Sequence, residues 1–302
     1  MKLTYFLLII FLVSAISAFG QFKNVKIADA EINYIDTGAG MPIVFVHGGM
    51  EDYRTWVPQI DSFSKKFRVI DYSRRFNYPN QNANEVKNFY AQTEASDLAQ
   101  LIIQLKLPPV HLVGHSFGAI IALTLAIQYP QLVQSLTLSE PPIISWLPDL
   151  FGGKKLYNDF YNNLWKPVKH DFEQGDTVAV MRHTIIYFYG SDISKEIPAE
   201  DWKQLIANLA EWRAIAYSTN AFPAVSKQDV QNLKMPVLLL SAGQTTSANK
   251  RFGNMAGRRI YAQLCIILFG SGSRLTFFKC RHIAKPCPLA SRHEKFRPDD
   301  KK

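Results

Sequence analysis

Residues 110–128 constrain the fold of this chain more than any other segment. The pentapeptide Gly114-His115-Ser116-Phe117-Gly118 lies there between an apolar run at 110–113 and a helical run at 119–128. A strand that turns sharply into a helix projects a serine hydroxyl above the end of a sheet, and glycines on both sides let the backbones pass closely. The segment predicts a strand–turn–helix unit with Ser116 at its tip. The alternative is an ordinary strand-to-helix turn.

Short β-rich runs alternate with helical periodicity along most of the chain. Strands are predicted at 25–29, 31–36, 42–46, 67–72, 110–116, 132–140 and 236–242, and helices at 56–67, 89–105 and 119–128. The run at 42–46 is apolar throughout, which is typical of a strand covered on both faces. Strands that alternate with helices predict an α/β fold with a mostly parallel sheet.

The alternation of strands and helices stops between residues 141 and 230, where aromatic residues are frequent. Helical periodicity predicts helices at 154–165, 177–188 and 202–217. Trp146, Trp165, Tyr187 and Phe188 fall in this segment. They suggest an apolar or aromatic pocket, although aromatic residues in helices more often serve only packing, and packing is the favoured interpretation.

The pentapeptide, this order of elements and the sequence His47-Gly48-Gly49 after the strand at 42–46 are similar to those of the α/β-hydrolase superfamily. The resemblance extends from Phe22 to about Met255. It implies a hydrolase core in two parts, 22–140 and 231–255, with a helical cap at 141–230 above the site. Extra helices packed on one edge of the sheet are the alternative to a cap.

The resemblance also implies a set of site residues. Ser116 is the candidate nucleophile, Gly114 and Gly118 shape its turn, and the backbone N–H groups of Gly49 and Phe117 are the candidate oxyanion hole. His47 and His115 are interpreted as scaffold residues. An ordinary turn is the alternative for the Gly48-Gly49 pair.

The sequence indicates the acid of the catalytic triad less directly than it indicates the nucleophile. After the strand at 236–242 the chain reads Gly243-Gln244-Thr245-Thr246-Ser247, without the carboxylate that the resemblance implies. Another branch of the superfamily carries the acid after the sixth strand, where this chain has Glu140. Glu140 is therefore the candidate triad acid, which would orient an imidazole. The alternative is a glutamate that caps a turn or the hinge of the cap.

A catalytic histidine is not present where the resemblance implies one. The family has a Gly-His pair after the eighth strand, but here the strand-like run at 264–269 leads into Gly270-Ser271-Gly272-Ser273-Arg274. The histidine is expected near Ser273. His282 and His293 lie beyond and are interpreted as residues of a solvated tail.

Residues 256–302 differ from the rest in composition. They hold 11 Lys and Arg against 3 Asp and Glu, which accounts for most of the formal charge of +9. Codons read one nucleotide later permit a Gly-His pair whose histidine straddles the codons of Ser273 and Arg274. We therefore expect an aberrant basic tail produced by a frameshift, with the last strand and helix disrupted. A genuine divergent tail is the alternative.

The remaining composition excludes several classes of function. The body of the chain is nearly neutral, which argues against a nucleic-acid partner. Cys265, Cys280 and Cys287 all fall in the tail with no zinc-binding spacing, and neither a metal nor an organic cofactor is implied. Residues 1–20 are typical of a signal peptide, which predicts an exported protein with no membrane span after cleavage. An uncleaved anchor is the alternative.

These features predict a serine hydrolase that cleaves a small ester, thioester or similar acyl substrate. A serine at the turn argues against dehalogenase and epoxide-hydrolase chemistry, which use a carboxylate there. A carbon–carbon bond hydrolase with the same triad stays open. A non-catalytic hydrolase-like binding protein, or an inactive product of a frameshifted gene, is the rival from another class. The sequence gives no indication of the oligomeric state.

Overall fold

The computed structural model describes residues 22–80, 89–242, 264–269 and 275–277. The predicted signal peptide, the Gly243–Ser247 loop and the residues around Ser273 lie outside these ranges, as do His282 and His293. Among the described residues, no helix is both long enough and apolar enough to cross a bilayer.

The described strands form one sheet in the order β1-β2-β4-β3-β5-β6-β7-β8-β9. Their bounds are β1 Phe22–Ile27, β2 Ala30–Thr37, β3 Pro42–Val46, β4 Arg68–Tyr72, β5 Val110–His115, β6 Val133–Ser139, β7 Val237–Ala242, β8 Leu264–Phe269 and β9 Leu275–Phe277. The pairs β1–β2, β2–β4 and β8–β9 are antiparallel. Each of the other neighbouring pairs is parallel. The mostly parallel sheet predicted from the sequence is confirmed.

Helices connect the parallel strands and fill the segment between β6 and β7. Their bounds are α1 Val57–Phe63, α2 Ala91–Gln104, α3 Phe117–Gln128, α4 Gly153–Asp159, α5 Lys166–Glu173, α6 Thr177–Tyr189, α7 Ala199–Ala207, α8 Leu209–Tyr217 and α9 Lys227–Gln231. A π-helical turn, Phe160–Trp165, joins α4 to α5. We call the segment 141–230 the helical insertion.

The core is built around β3 and α3. All five residues of β3 are buried, as expected for a strand covered on both faces. Helix α3 is buried continuously from Phe117 to Ala126, because it packs against α2 as well as β5 and β6. A helix that is apolar on every side must be enclosed. This enclosure fixes the position of the helix that begins directly after Ser116.

The helical character predicted for the insertion is confirmed, with one correction. The sequence predicts a single helix at 202–217, but α7 and α8 meet at Asn208. The buried amide of Asn208 donates hydrogen bonds to the Asp52 carboxylate (2.7 Å) and to the carbonyl of Gln204 (2.8 Å). A contact with the core thus takes precedence over helical continuity.

The edge of the sheet beyond β7 also differs from expectation. The last strand is predicted to be disrupted, whereas the backbone of β8 pairs in parallel with β7 from Leu264 to Phe269. Strand β9 then pairs antiparallel with β8. The run at 264–269 is apolar enough to form a strand wherever a partner edge is open. The helix expected after it lies outside the described residues.

Candidate active site

Ser116 occupies a strained turn between β5 and α3. Its backbone torsion angles are φ 50° and ψ −119°, a conformation that non-glycine residues rarely adopt. The N–H of Ser116 donates to the carbonyl of Ser139 (2.8 Å) at the end of β6, so the neighbouring strand holds this turn. Strained residues of this kind persist only where the surrounding structure fixes them, and they cluster at functional sites.

The two glycines of the pentapeptide are required by close backbone contacts. A Cβ atom at Gly114 would lie 2.6 Å from the carbonyl oxygen of Gly118 and 2.7 Å from the Cα of Ala119. A Cβ at Gly118 would overlap the carbonyl groups of Val46 and His47. The turn therefore forms only because β3, β5 and α3 approach one another without intervening side chains.

The loop His47–Met50, which we call the glycine loop, follows β3 beside this turn. The N–H of Gly48 donates to Oε2 of Glu51 and the N–H of Met50 donates to Oε2 of Glu211, both at 2.7 Å. No acceptor for the N–H of Gly49 lies within the described part of the chain. Phe117 begins α3, so its N–H is one of the donors that a helix leaves without an intrahelical partner.

His47 is buried and holds the loop from below. Its Nε2 accepts a hydrogen bond from the N–H of Arg74 (3.0 Å), and its Nδ1 lies 3.0 Å from the carbonyl oxygen of Gly48. Burial and the nearby positive charge of Arg74 lower the pKa of His47 well below its usual value. A neutral imidazole that donates from Nδ1 and accepts at Nε2 fits both contacts.

His115 has a more exposed position than the sequence suggests. Its imidazole lines the same cavity as Ser116, and its Nδ1 lies 3.2 Å from Oε1 of Glu51. Burial by itself would lower the pKa of His115, but the hydrogen bond to Glu51 and the charges of Glu51 and Glu140 raise it overall. Glu51 is not among the residues predicted from the sequence, although its place shortly after the Gly48-Gly49 pair could have indicated it.

Glu140 follows β6 and faces the cavity. Its φ is 52°, and its N–H donates to the carbonyl of Leu240 (3.0 Å) on β7. The carboxyl ends of β5 and β6 lie side by side, since Ser139 pairs with His115. The structure therefore brings Ser116 and Glu140, the two residues that the sequence singles out, to the same cavity.

This cavity has a volume of about 910 Å³ and lies between the sheet and the helical insertion. The aromatic residues that line it are Phe117, Phe160, Trp165, Tyr187, Phe188, Tyr189, Trp212 and Phe222. Its ionisable side chains, among the described residues, are mostly carboxylates, with no lysine or arginine. Trp146 does not line it and instead donates a hydrogen bond to the carbonyl of Val225 (2.7 Å), so its role is packing.

Arg74 and Arg75 are buried away from any substrate. Arg74 is fully buried, donates a hydrogen bond to Glu211, and has its Nη1 3.6 Å from Oε1 of Glu94. Arg75 forms two hydrogen bonds of 2.7 Å with Asp97. Arg74 also donates to the carbonyl of Gly48 (2.8 Å), so it binds a backbone group as well as acidic side chains.

A metal site is not evident in the described ranges, where no three His, Cys, Asp or Glu side chains are grouped closely enough to hold an ion. The groups that meet in the cavity are a hydroxyl on a strained turn, two backbone donors and several carboxylates. Such a set can perform acyl transfer once a base accepts the proton of the hydroxyl.

Comparison with known proteins identifies the same architecture. Residues 41–284 match the family model described as the alpha/beta hydrolase fold. The carboxylesterase CesB from Bacillus subtilis has a similar structure, with a TM-score of 0.62, 16% identity and 85% of each chain covered. The enol-lactonase from Burkholderia xenovorans has a TM-score of 0.61 and 16% identity, over 82% of this chain and 90% of its own. At these identities the likeness concerns the fold alone.

Two relatives are more similar in sequence over a shorter segment. The uncharacterized hydrolase YraK of Bacillus subtilis is 28% identical over 124 residues, which are 41% of this chain and 46% of the relative. BpoC of Mycobacterium tuberculosis, provisionally named a non-heme bromoperoxidase, is 38% identical over 107 residues, 35% of this chain and 40% of its own. The chain thus matches less than half the length of either relative.

Proposed function

The chain belongs to the alpha/beta hydrolase fold family, and on that premise we propose that it is a serine hydrolase cleaving a small ester, thioester or similar acyl compound. The observation that carries the proposal is the strained conformation of Ser116, with φ 50°, at the base of a cavity of about 910 Å³. Strain at this one residue raises its side chain into the cavity, where a nucleophile is needed.

The proposed reaction proceeds through an acyl-enzyme. The Ser116 oxygen attacks the carbonyl carbon, and the developing oxyanion accepts hydrogen bonds from the N–H groups of Gly49 and Phe117. Both donors lack an acceptor among the described residues, which supports this assignment. Glu140 is proposed as the acid that orients the base. The base passes the serine proton to the alcohol or thiol leaving group as the scissile bond breaks. Water, deprotonated by the same base, then attacks the acyl-enzyme, which releases the carboxylic acid and restores the Ser116 hydroxyl.

The proposed substrate is a neutral acyl compound with an apolar or aromatic group. The wall contributed by Trp165, Trp212 and Phe222 offers apolar surface for such a group. The carboxylates Glu51, Glu140, Glu196 and Asp201 at the cavity disfavour an anionic substrate, because no lysine or arginine among the described lining residues would offset its charge.

The sequence lacks the histidine that would act as the catalytic base. Residues 270–274 read Gly-Ser-Gly-Ser-Arg, where the family has a histidine. We propose that residues 256–302 are translated out of frame and that the in-frame chain carries the histidine near Ser273. A chain that truly lacks this base would keep only residual catalysis from the oxyanion hole and substrate binding. The rival function, a non-catalytic binding protein, follows from that case.

Covalent labelling tests the nucleophile. In the in-frame protein, which carries the base, a fluorophosphonate probe is expected to modify Ser116, which tryptic mass spectrometry would locate, and Ser116→Ala is expected to abolish the labelling. The matched control is Ser62→Ala, which removes an exposed hydroxyl on α1 and should leave labelling unchanged. Labelling that persists in Ser116→Ala would rule out the proposed nucleophile.

A further inference from the structure

Three consecutive backbone N–H groups of the glycine loop differ in how they are held. The outer two, at Gly48 and Met50, each donate to a carboxylate at 2.7 Å. The middle one, at Gly49, has no acceptor within the described ranges. Two carboxylates thus fix the loop on either side of the single N–H that is left for a ligand. Glu51 belongs to the core, whereas Glu211 belongs to helix α8 of the insertion.

Glu211 is fully buried and joins both sides of the loop to the insertion. Besides the Met50 N–H, its carboxylate accepts hydrogen bonds from Arg74 and from the side-chain amide of Asn77 (3.0 Å). Arg74 donates in turn to the carbonyls of Gly48 (2.8 Å) and His47 (3.3 Å). One buried charge pair therefore holds carbonyl groups and an N–H group of the same four-residue loop.

The conformation of the loop needs such support. Met50 has φ 58°, in the left-handed region that a methionine adopts only at a cost of about 1–2 kcal/mol. The hydrogen bond from its N–H to Glu211 offsets that cost. The residue next to Glu211, Trp212, covers Gly49 so closely that a Cβ there would lie 2.8 Å from the indole. Hydrogen bonding to Thr184 (2.9 Å) fixes the indole.

We propose that Glu211 is a positioning residue for the oxyanion hole, holding Met50 in its left-handed conformation so that the Gly49 N–H faces the substrate. Helix α8 therefore completes the catalytic loop in addition to covering the cavity. This inference rests on the proposed role of Ser116 and Gly49. Glu211 touches no reacting atom, so its effect is transmitted through the backbone of the loop.

Two substitutions distinguish the effect of the length of the Glu211 side chain from the effect of its charge. Glu211→Gln keeps the length of the side chain but removes the charge that Arg74 requires. Glu211→Asp keeps the charge, and hence the balance of the buried pair, but is one methylene too short to reach the Met50 N–H. The matched control is Asp171→Asn, which removes a buried carboxylate of the insertion that pairs with His183 and does not contact the glycine loop.

Amide hydrogen exchange of the loop gives a readout that needs no catalysis. Glu211→Asp is expected to exchange about tenfold faster in peptides that cover residues 47–51, because the Met50 N–H loses its acceptor. Glu211→Gln keeps a side-chain carbonyl oxygen that can accept from this N–H, so it should exchange less than Glu211→Asp. Asp171→Asn should exchange there as the unmodified chain does. Unchanged exchange in Glu211→Asp would overturn the proposal, since the charge alone would then suffice.

Ester hydrolysis gives the second readout. In the in-frame protein, Glu211→Asp is expected to lower kcat for a p-nitrophenyl ester by about 10- to 100-fold, with KM within about twofold and an unshifted pH profile, because a donor to the transition state is misplaced. A comparable loss in Asp171→Asn would contradict a specific role. If the in-frame protein with Glu211 intact neither hydrolyses esters nor is labelled at Ser116, the proposed function fails, while the exchange measurement, which needs no base, still decides the role of Glu211.

Discussion

At the scale of single residues, the cluster beneath the cavity predicts a pH-dependent stability. Glu94 on α2 is buried beside Arg74, and burial raises its pKa to about 8 from the usual 4.5. The folded chain therefore keeps a proton that the unfolded chain releases between these two values. The free energy of unfolding should fall as the pH rises from about 4.5 to 8. Asp97, whose pKa burial also raises, acts in the same direction.

Glu94→Gln should reduce the loss of unfolding free energy between pH 5 and pH 8, because glutamine is neutral at every pH in this range. Urea unfolding at pH 5 and pH 8 measures the effect, with Glu173→Gln, an exposed glutamate on α5, as the control. A fall in stability as steep in Glu94→Gln as in the unmodified chain would contradict the assignment.

At the scale of elements, the approach of β3 to α3 determines whether the turn at Ser116 can form. Gly118→Ala would push a methyl group into the carbonyls of Val46 and His47 at the end of β3. Since neither the buried strand nor the buried helix can easily move, we expect a loss of about 3 kcal/mol in unfolding free energy. Fluorophosphonate labelling of Ser116 should fall with it.

Gly175→Ala is the control for that substitution. Gly175 has φ 71° and nothing within 4 Å of an added Cβ. Gly175→Ala should therefore lower the free energy of unfolding only through the unfavourable backbone conformation, by about 1–2 kcal/mol. Denaturant midpoints compare the two variants. A smaller loss in Gly118→Ala than in Gly175→Ala would show that β3 and α3 can separate at little cost.

At the scale of the whole molecule, the segment that carries most of the positive charge is also the segment that lacks the catalytic histidine. Residues 256–302 carry most of the formal charge of +9 and lack the histidine that the family places near residue 273. If translation is out of frame there, resequencing the gene around the codons for Met255 and Ala256 should reveal an extra or missing base. The in-frame protein should then hydrolyse short p-nitrophenyl esters at least roughly 10³-fold faster than the printed chain. A confirmed frame would favour the non-catalytic rival.

The sequence by itself determined the α/β class, the strand–turn–helix unit at Ser116 and the helical character of 141–230. These follow from periodicity and from residues close together in the chain, whose interactions are local. It did not predict the break at Asn208, because a contact with Asp52 overrides helix propensity there. Nor did it assign a structural role to Glu51, whose partner His115 lies 64 positions away.

Only the tertiary structure decided how the glycine loop is held. Met50 and Glu211 are 161 positions apart, and no local pattern in either segment indicates that they meet. Their hydrogen bond exists because the helical insertion folds back over the sheet and buries Glu211 against Arg74. A sequence motif specifies which atoms can react, but long-range packing of buried charges specifies where those atoms are held.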